Sequence, residues 1–256
     1  MTLGLPLTAK ENAARITTLI GPLAQAARGR RVFLVDGDRT LSLDDTSRSF
    51  LRRAGLDPMD IKRRFQQDGY CFGSFRFHAE AHLNLGEGAF AHWCPLIARE
   101  AVLHEGAIDF LRQASANAAV FIVTAGIPRI WYHVLEKHHL EDIEIIGGID
   151  PRDPYVFGRR EKGDVCRLFL AAGATVIGVG DSDVDSEMLQ LAHQAVVVVN
   201  QHRNADLLPH LAHHPFVWQV VPRGVPHNGI PKLDFPAVAA IAHGYDAKIA
   251  EAPLCP

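Results

Sequence analysis

The stretch Val32–Ser42, VFLVDGDRTLS, decides the fold. Four apolar residues run into Asp36 and Asp38, and Thr40 follows two positions later. A short run that is apolar throughout is the mark of a strand covered on both faces of a parallel sheet. Its end is unusual. Residues i and i+2 of an extended segment point the same way. The two carboxylates would therefore raise each other's pKa unless a cation lay close by.

The same texture recurs downstream. From about residue 105, the apolar runs AAVFIVTAG, IEIIGGI, ATVIGVGD and AVVVVN alternate with the helical patterns AIDFLRQASA, IPRIWYHVLEKHHL, KGDVCRLFLAAGA and DSEMLQLAHQ. This alternation predicts the α/β class, a Rossmann-like parallel sheet with helices on both faces, and makes the run at 31–35 a central strand. Residues 8–28 read as a helix with Thr8 at its N-cap. Residues 43–104 hold no strong strand. Helical patterns there, such as DDTSRSFLRRAG and PMDIKRRFQQDG, are broken by Gly, Pro and Asn. That segment is expected to be a helical insertion in a core made of residues 1–42 and 105–256. Beyond 200 the sequence predicts a helix near 205–213, a strand at FVWQVV, a Pro/Gly-rich tail and a last helix over 235–249.

Composition narrows the function. The chain has 256 residues, 48% hydrophobic and 21% charged, which suits a globular protein with a real core. A net charge of −3 offers nucleic acid no basic field. No apolar run reaches the ~20 residues of a membrane span. The N-terminus, MTLGLPLTAKENAARI, lacks the basic start and apolar stretch of a secretory signal. The four cysteines, Cys71, Cys94, Cys166 and Cys255, form no C-x-x-C pair. Reduced thiols in the cytoplasm fit that spacing better than a disulfide frame or a zinc site.

In open parallel sheets, ligands sit beyond the carboxyl ends of the strands. The polar residues after each run should therefore gather there. They are Asp36, Asp38 and Thr40; then Thr124, Ala125 and Gly126; then Asp181, Ser182, Asp183 and Asp185. Lys162 opens the helix before the strand VIGVG. A hard divalent ion relieves repulsion between such acids, and Mg²⁺ typically uses one or two carboxylates, waters and a substrate phosphate. Acids, one lysine and a turn of free N–H groups suit a phosphate held between a metal and a cation.

Asp36-Gly-Asp38-Arg-Thr40, Thr124 after a strand, Lys162, and Gly180-Asp181-Ser-Asp-Val-Asp185 resemble, in order and spacing, the four motifs of the haloacid dehalogenase-like phosphatases. The resemblance covers residues 31 to about 200. It includes the insertion, which is similar to the helical C1-type cap domain of phosphoserine-phosphatase-like members. It implies that Asp36 is the nucleophile that becomes an aspartyl-phosphate. Asp38 would protonate the leaving alcohol and then activate water. Asp36, the backbone carbonyl of Asp38, and Asp181 would hold Mg²⁺. Asp185 would bind through water or anchor Lys162. Thr124, the N–H groups of Ala125 and Gly126, and Lys162 would take the phosphoryl oxygens. The substrate would be a phosphorylated small molecule. A phosphomutase and a silent phosphate-binding module are the alternatives. The oligomeric state stays open, with the tail able to cross to a second subunit in a homodimer or to lie against the cap.

Two residues depart from the family pattern. Gly37 stands where a bulky apolar residue is usual, and is expected to loosen the nucleophile loop. Arg39 stands where Gly or Ser is common, and puts a cation at the mouth of the site. Asp38 argues against the dehalogenase branch. Lys62, the sole lysine of the insertion, reads as part of a solvated helix face, against a Schiff-base role. Candidates for reading the leaving group are Asp45, Arg39, Arg48, Arg52 and Arg76. Asp45 lies where amino-acid-directed relatives carry an acid that meets the substrate amine; Arg48, Arg52 and Arg53 would instead meet an acidic substrate.

Other readings of these residues are weaker. Asp36 and Asp38 would serve as a simple turn pair. Asp181, Asp183 and Asp185 alternate as in a calcium loop, but Ser186 and Ala192 stand where Gly and Glu are needed. GVGDSD has Asp183 in place of the third dinucleotide glycine. Arg159 or Arg160 could replace Lys162. His210, His213 and His214, like His138 and His139, lack an accompanying acid or cysteine and read as solvated helix faces. The aromatics of Tyr70–His78 face the site or pack the insertion.

Overall fold

The structure, a computed structural model, describes residues 4–241. Seven strands alternate with helices. The first half runs α1 (Ala9–Ala26), β1 (Arg31–Val35), α2 (Thr46–Arg53), α3 (Met59–Asp68), α4 (Phe72–Leu83), α5 (Gly86–Glu100), α6 (Ala107–Ser115), β2 (Ala119–Val123), α7 (Pro128–Lys137) and β3 (Glu144–Ile146). The second half runs α8 (Arg159–Ala171), β4 (Thr175–Gly180), α9 (Ser186–Leu191), β5 (Gln194–Val198), α10 (Gln201–Leu207), β6 (Val217–Val220), β7 (Lys232–Leu233) and α11 (Phe235–Ile241). The sheet order is β3-β2-β1-β4-β5-β6-β7. Every neighbouring pair is parallel.

The apolar run of β1 is buried on both faces because alternate residues enter two cores. Phe33 and Val35 join Ile122, Ile130 and Trp131 on one side. Val32 and Leu34 join Val165, Phe169 and Met188 on the other. The chain leaves β1 toward β2 on one side and returns at β4 on the other, so β1 and β4 flank the switch point at which open sheets bind ligands. Val35 lies level with Val179, and the Asp36 N–H continues the ladder to Val179 O at 2.9 Å. The ends of β1 and β4 are therefore side by side.

Helices α2 to α5 fill the interval between β1 and α6. The ends of this insertion meet: Ser42 and Leu103 form an antiparallel bridge, and the Leu43 N–H donates to Val102 O at 2.8 Å. Phe50, Phe90, Cys94 and Ile97 bury their side chains in the core cluster that holds Phe33 and Trp131. Arg129 of α7 clamps Glu87 of α5 through two hydrogen bonds of 2.6 and 2.9 Å. The insertion is thus packed on the core at α2 and α5. Helix α3 has no buried residue.

Several sequence expectations shift. The stretch IEIIGGI gives a strand of only three residues. The helix expected near 205–213 begins at Gln201 and ends in a short 3-10 turn over Leu208–Leu211. The tail is neither a lid nor an arm up to Ile241. Lys232–Leu233 adds a seventh strand beside β6, and Phe235 and Val238 of α11 pack into the core beside Phe110. The remainder of the helix expected to 249, and Cys255, lie outside the described residues. Cys71, Cys94 and Cys166 are free thiols. Among the described residues no helix is long and apolar enough to cross a membrane.

Candidate active site

Three strand ends and the start of α8 bring the expected catalytic, phosphate-binding and metal-holding residues to the wall of one cavity of about 560 Å³. Asp36, Asp38, Thr124, Ala125, Gly126, Lys162 and Asp181 all line it. Asp185 lies just behind, and carboxylate oxygens of Asp36, Asp181 and Asp185 fall within 4.8 Å of one another.

Lys162 organises these acids. It is 1% exposed, and its Nζ donates to Asp36 Oδ1 at 2.5 Å and to Asp185 Oδ1 at 2.7 Å. Despite burial, Asp185 and Asp36 hold its pKa above the ordinary lysine value. Arg159 and Arg160 do not take this place, since Arg159 pairs with Asp183 at 2.8 Å and Arg160 is exposed. The second oxygen of Asp185 accepts the N–H groups of Asp181 and Ser182, both at 3.1 Å. Asp185 is therefore fully occupied and fixes the loop after β4.

Asp36 Oδ2 accepts the Thr40 hydroxyl at 2.8 Å. Burial and the charge of Asp185 nevertheless raise the Asp36 pKa. Asp38 Oδ1 accepts the Thr46 hydroxyl at 2.7 Å, and burial, then Asp45, push its pKa up to about 7. Burial pushes Asp181 up to about 8. Its Oδ1 is buried and accepts no hydrogen bond among the described residues. A buried carboxylate oxygen beside two other acids needs a proton or a cation. The donor set, all oxygen and anionic, fits a hard divalent ion better than a soft one.

The Thr124 turn closes the other side. Gly126 N–H donates to Thr124 Oγ1 at 3.0 Å. A Cβ on Gly126 would lie 2.8 Å from Asp38 Oδ2, so only glycine lets this turn approach the second aspartate.

Gly37 does not loosen the loop. A Cβ there would lie 2.4 Å from Cε2 of Trp131, which is fully buried. The indole of α7 occupies the volume a bulky residue at 37 would fill. Arg39 has φ 67°, the left-handed region that favours glycine. Its Nη1 donates to Asp45 Oδ2 at 2.6 Å, and its Nε lies 3.9 Å from Asp181 Oδ2.

Among the residues expected to read a leaving group, Arg39, Asp45 and Arg48 line the cavity, while Arg52 and Arg76 do not. Arg52 is exposed, Arg53 pairs with Glu100, and Arg76 with Glu80 at 2.9 Å. Asp45 is not free for an amine. It caps α2, its Oδ1 accepts Ser47 at 2.8 Å and the Arg48 N–H at 3.0 Å, and Oδ2 is held by Arg39. Against the cost of burial, the Arg39 guanidinium holds its pKa well below the usual carboxylate range. Lys62 is exposed on α3 but borders the cavity, which corrects the reading of a plain solvated face. From the run Tyr70–His78, Tyr70, Phe75 and His78 face the cavity. His210 pairs with Asp183 at 3.1 Å and His214 with Ala192 O at 2.9 Å, so neither meets a second histidine.

Some participants went unread in the sequence. Asn204 Nδ2 donates to Asp181 O at 2.7 Å, and Asn200 Nδ2 to Asp181 Oδ2 at 3.5 Å. Asn200 follows an apolar run, as the predicted site residues do, and the same rule would have found it. Thr46 and Arg203 carried no such signal.

A sequence model of the haloacid dehalogenase-like hydrolases matches residues 33–190. No curated protein matches the chain. Among solved structures, it is similar to a phospho-aspartyl intermediate analogue of phosphoserine phosphatase, at 15% identity over 83% of this chain and 98% of that one, TM-score 0.53. A substrate-bound phosphoserine phosphatase complex gives 14% identity over 84% and 99%, TM-score 0.52. A protein of unknown function from Bordetella pertussis Tohama I gives 18% identity over 80% and 99%, TM-score 0.57. At these identities the neighbours speak for the fold alone. The family match runs over more than half of the sequence, from the strand before the paired aspartates to the helix after Asp185, and on that ground the chain belongs to the haloacid dehalogenase-like hydrolases.

Proposed function

We propose that the protein is a Mg²⁺-dependent phosphatase that hydrolyses the phosphate monoester of a small molecule through an aspartyl-phosphate on Asp36. The observation that carries this reading is the pairing of Asp36, held by Lys162 at 2.5 Å, with Asp181, whose buried Oδ1 has no partner. Asp36, Asp181 and the backbone carbonyl of Asp38 would hold the ion, which supplies charge neutralisation for the phosphoryl group. Lys162 and the N–H groups of the Thr124 turn would bind phosphoryl oxygens and orient phosphorus toward Asp36.

The carboxylate of Asp36 attacks phosphorus, and the bond from phosphorus to the leaving oxygen breaks. Asp38, whose pKa of about 7 lets it carry a proton near neutrality, gives that proton to the leaving alkoxide. It then takes one from water, which attacks the aspartyl-phosphate and releases phosphate. Thr46 orients Asp38 through its 2.7 Å hydrogen bond. Residues 43–104 would act as the cap that excludes water during transfer, over a core of residues 1–42 and 105–256. Free thiols at Cys71, Cys94 and Cys166 suit the cytoplasm.

The test is release of phosphate from p-nitrophenyl phosphate with Mg²⁺, its loss on chelation, and an acid-stable, hydroxylamine-labile phosphoenzyme in the wild type. Activity that survives Asp36→Asn overturns the reading. Tight phosphate binding without turnover would point to a silent module, and dependence on a bisphosphate to a mutase.

A further inference from the structure

We propose that the alcohol released from the ester carries an anionic group of its own, a carboxylate or a second phosphate, on an apolar body, and bears no ammonium. This rests on the phosphatase reading and concerns the part of the cavity wall that the insertion and α10 supply.

Three cations line that wall: Arg48 and Lys62 from the insertion, and Arg203 from α10. None of the three side chains has an ion pair or hydrogen bond among the described residues. His78 faces the same space. It is 9% exposed, its ring nitrogens make no hydrogen bond among the described residues, and it touches the rings of His82 and Phe65. Burial and the neighbouring His82 pull its pKa down to about 3, so it offers one N–H without adding charge.

The acids on the wall are already spent, with one exception. Asp45 is held by Arg39, Ser47 and the Arg48 N–H. Asp183 is held by Arg159 and His210. Outside the cluster of Asp36, Asp38 and Asp181, Asp206 is the one lining acid without an ion pair or side-chain hydrogen bond among the described residues. Three unpaired cations against one acid, on a wall from which a bound ligand displaces water, favour an anion and repel an ammonium.

The floor between these charges is apolar. Phe65 meets Tyr70 at a tilt and Phe75 edge-on, with centroids 5.2 and 5.0 Å away, and Leu51 and Ile61 also line the cavity. An aromatic or aliphatic body fits there, with its anion at the cationic rim.

Four esters of one size separate the possibilities: phenyl phosphate, 4-carboxyphenyl phosphate, 1,4-phenylene bisphosphate and 4-(aminomethyl)phenyl phosphate. We expect kcat/KM for an anionic ester to exceed that for the aminomethyl ester by about tenfold or more. A larger gain for the carboxyl ester identifies a carboxylate, and for the bisphosphate a phosphate. The ratio should collapse toward one in Arg48→Gln/Lys62→Gln, and persist in Arg52→Gln, which alters the same helix outside the cavity. Arg39→Gly, which frees Asp45, should raise relative use of the aminomethyl ester. Turnover of phenyl phosphate with no tail preference, or with preference for the ammonium, overturns the inference and leaves the phosphatase standing. If no ester is turned over, calorimetric affinities of Asp36→Asn for 4-carboxybenzylphosphonate and 4-(aminomethyl)benzylphosphonate decide it separately. A preference for the carboxylate would then sustain the anionic site while the phosphatase reading fell. Equal affinities would sink both.

Discussion

The two walls of the cavity are built on opposite principles. On the sheet rim, most charges have a partner: Lys162 joins Asp36 to Asp185, Thr40 holds Asp36, and Thr46 reaches across from the insertion to hold Asp38, while Asp181 Oδ1 accepts no hydrogen bond among the described residues. On the insertion, the side chains of Arg48, Lys62 and His78 face the same space with no ion pair or hydrogen bond among the described residues. A wall held by so many of its own contacts is preorganised for one chemistry. A wall of unspent donors is completed by what binds. On the proposed reading, the rim would set the reaction and the insertion what is admitted to it.

The largest effect expected from that contrast is on the rim. Asp36→Asn should lower kcat by on the order of 10³-fold or more, read with p-nitrophenyl phosphate, while the fold persists by circular dichroism. Lys162→Met should cost stability as well, about 3–5 kcal/mol in urea titrations, because it strands Asp36 and Asp185 as uncompensated buried charges. A rim that tolerates this change would end the idea that its own contacts hold it.

The rim should also respond to pH. Without a cation, the folded protein holds Asp181 at about 8 against an ordinary value of 3.8, and Asp36 is raised as well. Between those values the folded state keeps a proton that the unfolded chain has lost. Stability of the chelated protein therefore falls as pH rises through that window. A divalent ion binds the ionised form, so Mg²⁺ should raise Tm more near pH 8 than near pH 5. Equal shifts at both ends would count against the ion site.

Smaller effects separate packing from charge. Gly37→Ala should cost about 1–3 kcal/mol through overlap with Trp131, and less in a Trp131→Phe background. Additive losses would mean the two do not touch. Arg48→Gln, on the unpaired wall, should change stability by less than about 0.5 kcal/mol. A large loss there would reveal a partner and blur the contrast between walls.

The same contrast governs what the sequence discloses. β1, β2, β4 and β5 are legible because burial on both faces demands unbroken apolar runs. β7 is two residues long and has no periodicity to read. The rim residues are legible because strand ends deliver them together. Partnerships between distant segments are not, because only packing creates them. Trp131 fills the space beside Gly37 from 94 positions away, so the glycine reads as slack until the indole is seen. Lys62 sits in DIKRRF, a helix with nothing buried, and such a pattern does not distinguish open solvent from the edge of a cavity.

The bridge between Ser42 and Leu103 carries a last consequence. Because the two ends of the insertion touch, its length and content place no strain on the strands that deliver Asp36 and Thr124. A different set of helices could be grafted between these positions as one piece, provided it again covers Ile130 and Trp131 and again offers Asp38 the hydroxyl that Thr46 supplies. Recognition can then be exchanged wholesale while the reacting groups stay where they are, and a chimera joined at this seam would inherit the appetite of one parent and the catalytic step of the other.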